Sequence, residues 1–296
     1  MKEKTDMRLL LMISLVAALG GFLFGFDTAV ISGTISFVKV QFQMQAVAEG
    51  WFVSSALLGC IIGVSFAGYL SDRFGRKKIL ILSAALFFLS ALGCAISASH
   101  TQLILYRLLG GIGVGVASMV SPMYISEVSP ARLRGRMVSL YQLAITIGIL
   151  TAYFTNAWML GISENEAVAF SGKWFDLILK AEIWRGMFAM EMIPALLFII
   201  MLPFIPESPR WLTKIQKEDK AFHILSRIGG KETATSEIKE IHDSLGTSKA
   251  SLRMLFKGGF RLALLVGIAI ALLQQFSGIN AIIYYGPRIL NEAGFS

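Results

Sequence analysis

Cysteine, histidine and charged residues are all scarce in this sequence of 296 residues. The two cysteines, Cys60 and Cys94, lie in apolar stretches without C-x-x-C spacing, so neither a disulfide framework nor a cysteine metal site is indicated. The three histidines also lack metal-ligand spacing. No Ser/His/Asp order or phosphate loop is present, and the alternating glycines from Gly111 to Gly115 follow no strand. A membrane enzyme is therefore the lowest-ranked interpretation, and no metal or cofactor is predicted.

Charged residues make up 16% of the chain and apolar residues 55%, with a mean hydropathy of +0.67. A soluble domain would carry roughly a quarter of charged residues. Crossing ~30 Å of hydrocarbon takes ~20 apolar residues in a helix, and stretches of that length recur here. We therefore predict an integral membrane protein with seven spans, at about 9–37, 51–70, 79–98, 101–123, 138–160, 184–205 and 262–286.

The basic residues behind the net charge of +8 are unevenly placed between the predicted spans. With a cytoplasmic N-terminus, the basic groups at 2–8, 73–78, 132–136 and 210–261 all fall on the cytoplasmic side. The outer side keeps Lys39, Lys173, Lys180, Arg185 and Arg288. This bias is typical of multi-pass membrane proteins. We predict a cell-membrane protein with a cytoplasmic N-terminus, whose basic residues reflect the bilayer and not a nucleic-acid partner.

Two polar stretches interrupt the spans. The stretch at 161–183 is predicted outside, and no chemistry is assigned to it. The stretch at 206–260 is predicted inside and carries apolar residues at helical spacing on both sides of Gly229 and Gly230, which indicates two amphipathic helices under the bundle. The sequence thus divides into a six-span unit at 1–205, a cytoplasmic linker at 206–260 and a seventh span at 261–296.

Small residues recur at four-residue spacing in three spans. The pairs are Gly21/Gly25, Gly59/Gly63 and Gly111/Gly115. Such pairs let helix backbones approach closely in lipid, which is the ordinary interpretation. Their presence in spans one and four is weak evidence for an internal repeat of three-helix units.

Three ionisable residues lie within predicted spans: Asp27, Arg107 and Glu191. At ~1.5 Å per residue they lie ~9 to 15 Å below the outer boundary, in one layer. Ionisable groups inside a bilayer are costly, tend to pair and mark substrate or proton pathways. One interpretation is a structural ion pair with a spectator carboxylate. The other is a switch, in which protonation of a carboxylate decides whether the pair holds and couples proton entry to helix movement.

Neutral polar side chains are concentrated in spans five and seven. At 100° per residue, Gln274, Ser277, Gly278, Tyr284 and Tyr285 share about a third of the circumference of span seven, which predicts one polar and aromatic face. Amides beside aromatic rings suit a ligand that is rich in hydroxyls and has apolar ring faces. Hydrogen bonding between helices is the alternative. The remaining polar residues of this set are Gln142, Thr146, Tyr153 and Asn156 in span five and Gln275 and Asn280 in span seven.

Six motifs follow one another along nearly the whole chain: GYLSDRFGRKK (68–78), YRLLGGIGVG (106–115), PMYISEVSPARLRGR (122–136), WRGMF (184–188), PESPRWL (206–212) and QQFSGINAIIYYGP (274–287). Together they resemble the sugar porter family of the major facilitator superfamily, and within it the bacterial sugar-proton symporters for xylose, arabinose and galactose. The resemblance implies an all-α membrane bundle that carries a monosaccharide with protons by alternating access.

The resemblance also implies roles for single residues. Asp27 and Arg107 match the family's proton-coupling pair, with Glu191 beside it. Animal facilitative carriers have a neutral residue at the position of Asp27, which favours symport, whereas Ile149 matches those carriers and leaves the sugar's identity open. Implied or predicted sugar contacts are Phe24, Gln142, Gln274, Gln275, Asn280, Tyr284 and Tyr285. The implied cytoplasmic gate consists of Asp72, Arg73, Arg76, Glu127, Arg134, Glu207 and Arg210.

Members of this family have twelve spans in two halves, so the resemblance implies that this chain is the front part of a carrier, cut after its seventh span. A facilitative uniporter for a sugar or inositol is the nearest alternative function. A membrane sugar sensor or interaction subunit that transports nothing is an alternative of another class.

Overall fold

The computed structural model describes residues 5–164, 177–246 and 258–294, and all regular structure within these ranges is helical. Seven segments are long and apolar enough to cross a bilayer, which confirms the predicted number of spans. They are Met7–Gln41, Ala46–Phe74, Arg76–Ile96, His100–Val128, Arg134–Glu164, Ile183–Phe204 and Phe260–Leu290. The predicted all-α membrane fold is therefore correct.

The first five spans are continuous helices: α1 (Met7–Gln41), α2 (Ala46–Phe74), α3 (Arg76–Ile96), α4 (His100–Val128) and α5 (Arg134–Glu164). The Asp6 carboxylate caps α1 by accepting hydrogen bonds from the backbone N–H groups of Arg8 and Leu9, two donors that the helix leaves unpaired. Between α2 and α3 the chain turns at Gly75, whose φ of +95° suits glycine. We call the end of the bundle where α1 begins the lower end and the opposite end the upper end.

The sixth span consists of two helices, α6 (Ile183–Met190) and α7 (Met192–Met201), which meet at Glu191 and are followed by a 3₁₀ turn, Leu202–Phe204. A short π-helical turn, Leu177–Ala181, precedes α6. Pro194 has no N–H to donate to the carbonyl four residues earlier, which explains the break beside Glu191. The glutamate thus stands at a helix junction inside the span.

The seventh span is also divided, after the three short lower helices described below: α11 (Gly258–Phe276) and α12 (Ile279–Glu292) are separated at Ser277 and Gly278, where Gly278 has a φ of +75°. The single polar face predicted from Gln274 to Tyr285 assumed an uninterrupted helix, and the break removes that assumption. A rotation of 100° per residue does not continue through a left-handed residue, so residues before and after the break need not share a face.

Close backbone contact holds the bundle together. α2 packs along α4, and α1 packs along α5. Gly59 of α2 lies against the backbone carbonyl of Leu108, while Gly111 and Gly115 of α4 lie against the carbonyls of Ala56 and Cys60. Small residues are needed wherever two backbones approach this closely. The glycine pairs Gly59/Gly63 and Gly111/Gly115 thus form the contact surface between spans two and four, whereas Gly21 and Gly25 lie against the backbone of α5.

Three short helices lie at the lower end: α8 (Pro209–Lys214), α9 (Glu218–Gly229) and α10 (Lys231–Gly246). The latter two are the helices expected on either side of Gly229 and Gly230. Asp6 donates its backbone N–H to the carbonyl of Ile228 at 2.8 Å, which ties α9 to the start of α1. The remainder of the polar stretches, at 165–176 and 247–257, lies outside the described residues, and the proposed domain boundaries stay predictions.

Candidate functional site: a buried charge cluster between two ends of the bundle

The three predicted intramembrane charges converge from different helices. Arg107 Nη1 of α4 lies 3.6 Å from Asp27 Oδ1 of α1, and the two side chains are only 2% and 7% exposed. Glu191, at the junction of α6 and α7, is buried as well and lies within electrostatic range of both. The depth estimate from sequence therefore located a real cluster. It contains two carboxyl groups and one guanidinium.

Two aromatic rings enclose the guanidinium of Arg107. Its central carbon lies 5.7 Å from the ring centroid of Phe52 and 5.6 Å from that of Phe188, so both rings offer cation–π contacts. Sequence reasoning missed both residues, because a phenylalanine in an apolar span carries no signal of a charged neighbour. These rings keep water from the cation and strengthen its attraction to carboxylates.

Hydrogen bonding in the charge cluster is incomplete. Within the part of the chain that the structure describes, Arg107 Nε and Nη1 and Glu191 Oε1 are buried without a hydrogen-bond partner. Unpaired buried polar atoms are costly, and in native proteins they often mark functional sites. A small movement of α1, α4 or the α6–α7 junction would change which carboxylate the guanidinium contacts. The arrangement is suited to exchange of partners.

The predicted sugar-contact residues are only partly brought together. Asn280 Nδ2 donates to Gln275 Oε1 at 3.0 Å, across the break in span seven. Tyr284 of α12 is buried and lies within electrostatic range of Asp27 and Arg107. Of the other members, Gln142 and Gln274 are exposed, and Phe24 and Tyr285 are half-buried.

A cavity of about 540 Å³ lies at the upper end between α1, α5 and α12, and Tyr284 and Tyr285 are among its lining residues. Asn156 also faces it. The Asn156 amide donates to the carbonyl of Val30 at 3.1 Å, while its buried Oδ1 has no partner among the described residues. Tyr153 donates to the carbonyl of Ile283 at 2.7 Å and ties α5 to α12. The cavity combines aromatic walls with polar side chains.

The lower end carries a second charge network, centred on Arg76 at the start of α3. Arg76 Nε and Nη2 donate to the two carboxylate oxygens of Glu127, both at 2.9 Å, and Nη1 lies 3.0 Å from Asp72 Oδ1. Glu207 Oε1 accepts the backbone N–H groups of Arg76 at 3.0 Å and Ser208 at 2.8 Å. Bidentate and charge-assisted bonds of this kind are strong. The network fastens α2, α3, α4 and the segment before α8 to one another.

The other predicted gate residues lie at the edge of this network or outside it. Arg134 does not pair with Glu127. It donates to the carbonyl of Ser126 at 3.1 Å and lies 3.8 Å from Glu237 of α10. Arg73 points elsewhere, with Nη1 donating to the Tyr69 hydroxyl at 3.2 Å. The remaining member, Arg210, lines a cavity of about 940 Å³ beside Glu127.

Removal of either partner of the Arg76–Glu127 pair is expected to destabilise the protein strongly. Breaking one side of a buried ion pair costs about 3 to 5 kcal/mol, because the other charge stays buried and uncompensated. Arg76→Gln and Glu127→Gln should each lower the melting temperature in detergent, and the double variant should lose less than the sum of the two. Arg73→Gln is the control, because Arg73 is exposed and lies at the end of α2, three residues before Arg76. Additive losses in the double variant would contradict the pairing.

Cofactor chemistry has no obvious holder in this arrangement. Among residues 5–164, 177–246 and 258–294, no three His, Cys, Asp or Glu side chains are grouped as a metal site requires. Cys60 and Cys94 are free thiols within the bundle.

The seven-span helical bundle, with its buried charge cluster and lower network, has the fold of a major facilitator membrane transporter. The chain belongs to the family described as Sugar (and other) transporter, whose pattern matches residues 13–296. It is 43% identical over 291 residues to an arabinose-proton symporter of Bacillus subtilis, and the alignment covers 98% of this chain and 60% of the relative. It is 41% identical over 312 residues to a D-xylose-proton symporter of Escherichia coli, with 96% and 61% covered.

Solved structures agree with these relatives. A proton:xylose symporter bound to 6-bromo-6-deoxy-D-glucose superposes with a TM-score of 0.84 at 39% identity, covering 98% of this chain and 64% of that structure. The inward-open xylose transporter of Escherichia coli gives 0.77 at 40% identity. The chain thus spans about 60% of the length of the curated relatives it matches.

Proposed function

We propose that this chain takes part in secondary active transport of a monosaccharide together with protons, by alternating access. The observation that carries the proposal is the buried cluster of Asp27, Arg107 and Glu191. Two carboxyl groups share one guanidinium, so one of them can take up a proton without leaving a buried cation unpaired. The named relatives include arabinose-, D-xylose- and galactose-proton symporters, which supports the same reading.

In the proposed mechanism, a proton that reaches Asp27 removes the charge that holds Arg107. The guanidinium then shifts toward Glu191, which lies at the junction of α6 and α7. Because Asp27 is on α1 and Arg107 on α4, loss of their attraction changes how these helices pack. Sugar hydroxyls are held by the amides of Gln275 and Asn280, with Gln142, Gln274, Phe24 and Tyr285 as further contacts.

The network around Arg76 is assigned the role of the inner gate. It closes the lower end while Glu127 holds Arg76, and it must open for release of sugar and proton into the cell. The proposed orientation places the lower end and the N-terminus in the cytoplasm of a bacterial cell, in a multi-pass membrane protein, because the basic segments between spans collect at that end. The upper end, with the cavity of about 540 Å³, then faces outward.

Sugar uptake into proteoliposomes containing the full-length natural protein tests the proposal. Addition of the transported sugar should acidify the lumen, as read by an enclosed pH dye, and an imposed pH gradient should drive accumulation. A competition series of pentoses, hexoses and inositol against one labelled sugar would identify the substrate. Uptake without acidification would favour a facilitative uniporter. Sugar binding without uptake would favour a sensor. Either result would overturn symport.

A further inference from the structure

The upper half of span seven is tied to the first two spans by a buried glutamate that the roles described above do not use. Arg288 Nη1 of α12 donates to Glu49 Oε1 of α2 at 3.3 Å. Lys39 Nζ of α1 lies 2.6 Å from Glu49 Oε2. The Glu49 side chain is 9% exposed, so three helices meet at one shielded carboxylate.

The two cations satisfy this carboxylate completely. Each oxygen of Glu49 has one positive partner, which is the condition under which a buried charge is tolerated. Arg288 has a second contact on its own helix, where its Nε donates to Glu292 Oε1 at 3.0 Å. Lys39 belongs to the bundle, whereas Arg288 belongs to α12. Of the two ion pairs of Glu49, the one with Arg288 is therefore the one that opens when α12 moves away.

The Glu49–Arg288 contact matters because α12 lies over residues of the charge cluster. Tyr284 lies one turn before Arg288, is buried, and packs in the same apolar cluster as Phe52 and Phe188, the rings that enclose Arg107. At the other end of α12, Gly278 separates it from α11 and provides a hinge, since its φ of +75° belongs to no helix. α12 can thus pivot as one piece, carrying Tyr284 toward or away from the charge cluster.

We propose that Glu49 and Arg288 form an outer latch that holds α12 over the charge cluster and closes it to the outside. The proposal rests on the transport function proposed above and adds the contact that sets outward access. Both are positioning residues, since they act through α12 and touch neither sugar nor the proton-binding groups. Breaking the latch favours the state in which α12 is swung out.

Accessibility of Ser32 tests the latch directly. Ser32 lines the upper cavity beneath α12 and is half-buried, and its hydroxyl donates to the carbonyl of Ala29 on its own helix, so Ser32→Cys is a mild change. The full-length Ser32→Cys protein in intact cells is exposed to a membrane-impermeant maleimide, and the labelling rate is read by peptide mass spectrometry. Glu49→Gln or Arg288→Gln should each raise that rate about fivefold, the effect of losing one partly exposed ion pair.

Three further variants test whether faster labelling of Ser32→Cys is caused by loss of the Glu49–Arg288 contact. Glu49→Gln/Arg288→Gln should label no faster than the faster single variant, because the same contact is lost. Arg288→Lys should stay near the parent rate, and so should Glu292→Gln, which removes the partner of Arg288 within α12 only. Arg288 is half exposed, so its variants are expected to fold even if Glu49→Gln does not. Equal labelling of Arg288→Gln and parent would overturn the latch, as would additive effects in the double variant.

The labelling result is independent of transport. The expected pattern in a protein that takes up no sugar supports the latch and counts against the proposed symport. Proton-coupled uptake without that pattern supports symport and refutes the latch.

Discussion

Asp27→Asn is expected to abolish accumulation of sugar against its gradient while leaving exchange of sugar across the membrane. One proton moving through ~100 mV supplies about 2.3 kcal/mol, which sustains roughly a 50-fold sugar gradient. Asparagine has nearly the same shape but neither binds a transferable proton nor holds a charge against Arg107. The accumulation ratio should therefore fall to about 1 under the same gradient. Counterflow, in which internal unlabelled sugar draws in labelled sugar, should persist.

The charge cluster explains why the variant should still fold. Arg107 retains Glu191 as a second carboxylate within electrostatic range, so removal of one negative charge does not leave the cation alone. Asp219→Asn makes the same chemical change on the exposed surface of α9 and is the control for expression and assay. Undiminished gradient-driven accumulation in Asp27→Asn would show that Asp27 is a structural partner of Arg107 and not the coupling group.

The arrangement of distant segments could be predicted from the sequence where it follows from the physics of the bilayer. The seven spans follow from hydrophobic length, and the common depth of Asp27, Arg107 and Glu191 follows from helix rise, since charges in lipid must find one another. The motifs indicated the family as well, because their order along the chain is specific to it. These features depend on composition and spacing alone.

Features that depend on contacts between distant segments could not be predicted from the sequence. Glu49 reads as an ordinary polar residue at a helix start, and nothing near it in the chain shows that Arg288 will reach it. The family resemblance places Glu127 and Arg134 in one gate, yet Arg134 lies beside Glu237, while Glu127 pairs with Arg76 of α3. The break at Gly278 was also missed, because an isolated glycine in an apolar span is as typical of close packing as of a hinge.

Gly59→Leu is expected to prevent stable folding of the bundle. A Cβ placed on Gly59 would overlap the carbonyl oxygen of Leu108 and approach the backbone nitrogen of Ile112 to 2.9 Å, so α2 and α4 would have to separate. Overpacking against rigid backbone should cost at least about 3 kcal/mol, since no side chain can rotate away. The monodisperse fraction after extraction and the melting temperature in detergent measure the loss. Gly161→Leu on α5 is the matched control, because an added Cβ there meets nothing within 4 Å among the described residues outside its own helix backbone.

The smaller change Gly59→Ala separates packing from function. Leu108, whose carbonyl Gly59 contacts, is the neighbour of Arg107, so any displacement of α4 there moves the guanidinium relative to Asp27. A protein that tolerates alanine by shifting α4 should show weakened proton coupling at a melting temperature close to that of the parent. If Gly59→Leu proves as stable as Gly161→Leu, the close approach of α2 and α4 is not required, and the glycine pairs have no role in setting the distance between Asp27 and Arg107.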